Sequence, residues 1–149
     1  MKAFFKTVLL VAAFATLSVI SAKADDGARI MQRVLETVQL LEEQDKSIAC
    51  VMIDQLSKSS DSRTFTRKLY YGNDYVVVAE GDAHIRDTDL TVYRKSGGEW
   101  IQVAKDADSS NVAVVNFHCS ETGDYKFEVK AYSFQEGYSN AFYGLTISF

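Results

Sequence analysis

From Thr64 to the end of the chain, apolar and polar residues alternate with a period of two, whereas between Ile30 and Leu41 apolar residues recur every three or four positions. Alternation marks strands with one buried face, because successive side chains leave a strand on opposite sides. It predicts strands at 64–69, 74–79, 89–94, 100–104, 112–118, 125–131 and 141–149. The gaps between them hold turn residues: Gly72 and Asn73, Gly81 and Asp82, Gly97 and Gly98, the polar run 106–111, Thr122 and Gly123, and Glu136 and Gly137. Short strands at this spacing predict an antiparallel sandwich or barrel. Leu90 and Val92, Val115 and Phe117, and Tyr125, Phe127 and Val129 are expected to point inward, with either Val76 and Val78 or Tyr75 and Val77.

The earlier segment predicts helix. Ile30, Val34, Val38 and Leu41 share one face, Met31 and Leu35 flank it, and Arg33, Glu36, Gln39, Glu42 and Glu43 lie largely opposite. Asp25 or Asp26 is suited to the N-cap and to the positive end of the helix dipole. Apolar spacing resumes at Ile48, Val51, Met52 and Leu56 with no Gly or Pro in between, which predicts one long helix or two short ones. The expected organisation is therefore a helical segment over 25–60 and a β-sandwich over 61–149, packed as one domain, the helix covering an open sheet face or edge.

The first 24 residues belong to neither part. Lys2 and Lys6 precede an almost uncharged apolar run from Thr7 to Ile20, and Ser21-Ala22-Lys23-Ala24 follows with small residues at 22 and 24. A basic start, an apolar middle and an A-x-A exit predict a signal peptide cut after Ala24. The run is shorter than the ~20 residues of a spanning helix, so no stable membrane insertion is expected after cleavage. The predicted product is periplasmic or secreted. Its 125 residues carry 13 Lys and Arg against 20 Asp and Glu, a net charge of −7. Such a balance argues against nucleic acid and anionic lipid as partners and is compatible with a cation.

Export changes the meaning of the two cysteines. Cys50 and Cys119 are a candidate disulfide in an oxidising compartment, with two buried thiols as the alternative. Asp82, Asp87, Asp89, Asp106 and Asp108 come from three turn regions that a sandwich can gather at one end, which makes Ca²⁺ the candidate cation and Asp82, Asp87, Asp89 and Asp106 its candidate ligands. The alternative is that Asp87 and Asp106 cap turns. His84 and His118 are the only histidines; His118 and Cys119 are neighbours on a strand and so face opposite sides. Motifs of serine hydrolases, zinc peptidases and phosphate-binding loops are missing from the sequence. Tyr70, Tyr71, Tyr132, Phe134, Tyr138, Phe142 and Tyr143 are candidates for an exposed row of rings. The alternation from Ala141 to Phe149 is like the closing strand of outer-membrane barrels, but most predicted strands fall short of the 9–11 residues or so that such barrels use.

Tyr75-Val-Val-Val-Ala-Glu-Gly-Asp82, Asp87-Thr-Asp-Leu-Thr-Val-Tyr93, Gly97-Gly98, Asp106 and Thr122-Gly-Asp-Tyr-Lys-Phe-Glu-Val129 together resemble the bacterial pre-peptidase C-terminal domain over roughly residues 64–149. The resemblance implies a jelly-roll-like sandwich and a usually non-catalytic module, some relatives binding calcium or extracellular polymers; the helical segment lies outside it, so the expected fold is mainly β with an N-terminal α segment. No peptidase accompanies it in this sequence. The expected function is an exported non-enzymatic binding or interaction module for an extracytoplasmic protein or polysaccharide. The alternatives are an exported hydrolase with a carboxylate site that no motif reveals, and a structural subunit of an envelope assembly.

Overall fold

A computed structural model describes residues 26–58 and 62–149. The predicted signal peptide and its cleavage site lie outside the described residues. Helix α1 (Asp26–Glu42) comes first. Eight strands follow: β1 (Ile48–Ser57), β2 (Ser62–Leu69), β3 (Asp74–Gly81), β4 (Ile85–Ser96), β5 (Glu99–Asp106), β6 (Val112–His118), β7 (Gly123–Phe134) and β8 (Asn140–Ser148). They form two four-stranded sheets in the orders β1-β8-β3-β6 and β2-β7-β4-β5, with every recorded pairing antiparallel. That order is the eight-strand jelly roll.

All seven predicted strands are present, and an eighth occupies part of the segment expected to be helical. The helix ends at Glu42, and Ile48–Ser57 pairs with β8 as an edge strand. The helix stops without Gly or Pro because Asp45 takes the left-handed conformation (φ 60°). Lys46 N–H donates to the Leu41 carbonyl and Asp45 N–H to the Glu42 carbonyl, both at 3.0 Å. These are the two bonds of a Schellman cap, with Asp45 where Gly is usual. The run from Ile48 to Ile53 is nearly all apolar, and periodicity cannot distinguish such a run in a strand from one in a buried helix.

The main core lies between the sheets. Tyr75, Val77 and Ala79 of β3 and Tyr143, Leu145 and Ile147 of β8 meet Leu90 and Val92 of β4 and Tyr125, Phe127 and Val129 of β7. Both alternatives for β3 are realised, on opposite faces: Val76 and Val78 form a second cluster with Leu41 under the helix. Burying Ile30, Val34 and Leu41 there contributes roughly 1.5–3 kcal/mol per side chain.

The helix can lie close because β8 is small on that side. A Cβ on Gly144 would overlap Val34 Cγ2, and Thr146 and Ser148, also buried, continue the same face. Glu80 is buried there too, and accepts a 2.8 Å hydrogen bond from Thr37 Oγ1 with Arg33 Nε 3.5 Å away. Arg33 also donates to the Gly81 carbonyl. Burial pushes the Glu80 carboxyl above its ordinary range, and Arg33 and Thr37 pull the other way.

Candidate ligand-binding face

The two sheets differ in what covers their outer sides. Helix α1 lies across β8, β1 and β3, whereas β2-β7-β4-β5 has no such layer among the described residues. Register defines that open face. Phe127 and Val129 point inward, so Asp124, Lys126, Glu128, Lys130 and Tyr132 point outward. Pairing places Thr64 and Thr66 of β2 opposite Glu128 and Lys126. It places Asp89, Thr91 and Tyr93 of β4 opposite Lys130, Glu128 and Lys126. Across the Gly97-Gly98 hairpin, Trp100 lies opposite Lys95 and Gln102 opposite Tyr93. Both hairpin glycines have positive φ, 58° and 91°, a conformation that favours glycine over other residues.

At the centre of the face Lys126 Nζ lies 4.4 Å from the Tyr93 ring centroid and 5.1 Å from that of Trp100. Lys95 Nζ lies 5.9 Å from the Trp100 centroid, and Lys130 Nζ the same distance from that of Tyr132. Glu128 accepts from Tyr93 Oη at 2.9 Å and from Ser62 Oγ at 3.2 Å. Burial, then the hydrogen bond to Glu128 and its charge, raises the Tyr93 phenol above its ordinary range. The result is a platform of two half-buried rings, Tyr93 and Trp100, and one exposed ring, Tyr132, with ammonium groups beside them and hydroxyls at its border. It can stack on a ligand and hydrogen-bond it.

Sequence reasoning missed Tyr93 and Trp100. The signal was present: Leu90 and Val92 inward implies Tyr93 outward, and a hairpin brings the next strand's first residues beside it.

The predicted acidic residues fall into two places. Asp82 is buried, and its carboxylate accepts the His84 N–H at 2.8 Å and the Phe142 N–H at 2.7 Å. Asp106 accepts the Asp108 N–H at 3.0 Å and, from the other sheet, the Val114 N–H at 2.7 Å. Both carboxylates thus cap backbone amides that strand pairing leaves free. Asp87 and Asp89 lie near Asp106; burial first, then the charges of Asp89 and Asp106, raise the Asp87 carboxyl. Among the described residues no group of three or more His, Cys, Asp or Glu side chains is arranged to hold a metal ion.

The thiols of Cys50 and Cys119 are both free. Cys50 is on β1 and Cys119 just beyond β6, the two edges of one sheet. Three strand spacings, ~14 Å, separate those edges, beyond the ~7 Å limit for bridged Cα atoms. The candidate disulfide is therefore not formed in this structure. Cys119 Sγ contacts the Glu121 carbonyl (3.2 Å) and Tyr125 Oη (3.4 Å), whereas His118 turns away to Asp74 (2.7 Å).

The predicted row of rings is divided. Tyr143 is buried. Tyr70 and Tyr71 stand exposed at the β2–β3 turn, Tyr71 edge-on to His118. Tyr138 stacks on His84 near the opposite end of β3, with centroids 3.7 Å apart. His84 Nδ1 is 3.7 Å from both Asp26 and Asp82, so this histidine joins the helix start to two loops.

The motif residues themselves build the sandwich. A Cβ on Gly81 would come 2.7 Å from Ile85 Cβ, and Asp82 holds the adjoining loop. Thr122 Oγ1 accepts the Tyr71 N–H at 2.9 Å. Tyr125 Oη donates to the Glu121 carbonyl at 3.0 Å, as in a tyrosine corner.

The chain is thus a jelly-roll β-sandwich with one face covered by a helix and, among the described residues, one face open. Its fold is similar to that of the pre-peptidase C-terminal domain of a Bacillus anthracis collagenase, with a TM-score of 0.52 and 13% identity over 66% of this chain and 87% of that one. It is also similar to CorA, a surface-associated copper-binding protein of Methylomicrobium album BG8, with a TM-score of 0.53 and 9% identity over 65% of this chain and 91% of that one. PliG, a periplasmic inhibitor of g-type lysozyme from Aeromonas hydrophila, aligns over 66% of this chain and 83% of its own at 12% identity, with a TM-score of 0.47. No protein-family model matches the sequence, and no curated protein matches it at a significant level. At these identities the likeness is one of fold, which is pre-peptidase C-terminal domain-like.

Proposed function

We propose that the protein is an exported, non-catalytic binding module that takes an extracytoplasmic partner on the outer face of β2-β7-β4-β5. The observation that carries this is the asymmetry of the sandwich. One outer face is packed under α1, while the other presents Tyr93, Trp100 and Tyr132 among ammonium and hydroxyl groups. Rings with neighbours beside them offer contact area at little cost in entropy. A jelly roll supports many functions, so the argument rests on the face and not on the fold; the fold is compatible with binding, as in copper-binding CorA.

Two measurements test it. N-terminal sequencing of protein recovered from the envelope or medium should begin at Asp25. Wild-type protein should co-sediment with washed envelope material, and the Tyr93→Ala, Trp100→Ala double variant should lose that association. A Tyr70→Ala, Tyr71→Ala variant should keep it. The opposite pattern assigns binding to the β2–β3 turn and removes the proposal.

A further inference from the structure

The open face also carries an unbalanced charge. Five lysines, Lys68, Lys95, Lys105, Lys126 and Lys130, stand at outward positions against four carboxylates, Asp87, Asp89, Asp124 and Glu128. The protein as a whole is acidic, with 20 Asp and Glu against 16 Lys and Arg. Among the described residues none of these lysines forms an ion pair within 4.0 Å; the carboxylate partners recorded are arginines and histidines. Glu128, one of the two acids that flank Lys126 on β7, is engaged instead by two hydroxyls. The ammonium groups of Lys126, Lys95 and Lys130 lie beside rings, which hold a cation in place without neutralising it.

Resting on the binding face proposed above, we infer that its ligand is an anionic glycan, a polysaccharide whose sugar rings carry carboxylate or sulfate groups. Trp100 and Tyr93 stack on the C–H faces of the sugar rings, Thr64, Thr66 and Gln102 meet hydroxyls, and Lys126 and Lys95 meet the acidic groups. The positive positions of the face alternate with acids and hydroxyls. An anionic membrane would favour a continuous basic cluster with protruding apolar side chains. A neutral glycan would give the unpaired lysines nothing to do. Charge complementarity thus selects among partners that the rings alone accept.

The single tryptophan of the chain is in the site, so its fluorescence reports binding directly. Mature protein is titrated with polygalacturonate, alginate and chondroitin sulfate, with dextran and laminarin as neutral counterparts, and with phosphatidylglycerol vesicles. At least one acidic glycan should change Trp100 emission with an affinity about tenfold or more above the neutral ones, a difference of about 1.4 kcal/mol. Raising NaCl from 50 to 200 mM should weaken it. A Lys95→Gln, Lys126→Gln variant with an unchanged melting temperature should bind about tenfold more weakly, and Lys58→Gln should not.

Equal binding of dextran, binding of vesicles alone, no response to any of the three acidic glycans, or full binding by the double lysine variant each overturns the inference. The proposed face is judged separately by envelope co-sedimentation. If that depends on Trp100 but not on the lysines, the face stands and the anionic ligand falls. If it does not depend on Trp100, both fall.

Discussion

Gly144 and Val34 meet where α1 crosses the sheet, so closely that a methyl group on Gly144 would occupy the place of Val34 Cγ2. The helix–sheet distance is therefore set by the absence of one side chain on β8. Gly144→Ala should lower unfolding free energy by about 1–3 kcal/mol, the usual cost of overpacking a close contact. Urea unfolding followed by far-UV circular dichroism measures it. A neutral result would show that the helix slides freely on its seat.

Glu80 lies under the same helix, and its stability contribution has a definite sign with pH. Its folded-state carboxyl titrates above the ordinary value of 4.5 because burial opposes its charge. The folded protein therefore holds a proton that the unfolded chain releases. Stability from this group is complete below the ordinary carboxylate range and is lost as pH rises through the folded value. Glu80→Gln should flatten the decline in unfolding free energy across that interval. An unchanged pH profile would show that Arg33 fully offsets the burial.

Asp82 holds two loops by accepting the His84 and Phe142 amides. Asp82→Ala leaves both part-buried donors without this partner and should cost about 1–3 kcal/mol in all. A calorimetric melt reads the loss directly. Because the carboxylates of Asp82 and Asp106 are engaged by amides, millimolar Ca²⁺ should not move the wild-type melting temperature. A rise over an EDTA control would establish a calcium site by linkage.

Cys50 and Cys119 lie at opposite edges of their sheet with free thiols. Unreduced protein unfolded in guanidinium should yield two reactive thiols. In the folded protein Cys119, buried beside Tyr125, should react far more slowly than Cys50. Zero thiols in the unfolded sample would mean that the cysteines bridge after rearrangement of β1 or the β6–β7 turn.

Asp45 occupies the left-handed position that ends α1. Glycine adopts that conformation freely, whereas alanine is strained there by roughly 1–2 kcal/mol. Asp45→Gly should therefore be more stable than Asp45→Ala by about 1 kcal/mol. Equal stabilities would mean that the chain can leave α1 by another route.

Seven of the eight strands were legible, most clearly where one face is dry and the other wet, as Tyr125, Phe127 and Val129 are against Lys126, Glu128 and Lys130; β3 and β8, buried on both faces, were legible from the turn residues around them. β1 was not. Its apolar run from Ile48 to Ile53 fits either element, and the helix stop before it rests on a left-handed Asp that composition does not reveal. The acidic residues drew attention as ligands because sequence shows their charge but not their hydrogen bonds. Asp82 and Asp106 are engaged by amides from loops and strands distant in the chain.

The sequence by itself determined the class of fold and the inward residues of the strands with one wet face, because burial leaves a local periodic mark on such a strand. It also showed a Gly-Asp turn and a Thr-Gly-x-Tyr corner, which organise their own neighbourhoods. Only the tertiary structure decided which outer face α1 seals, because that depends on small residues of β8 meeting a helix about a hundred positions earlier. The same holds for the platform of Tyr93, Trp100 and Lys126. Three strands must be in register before a cation lies over two rings, and register is a property of the assembled sheet.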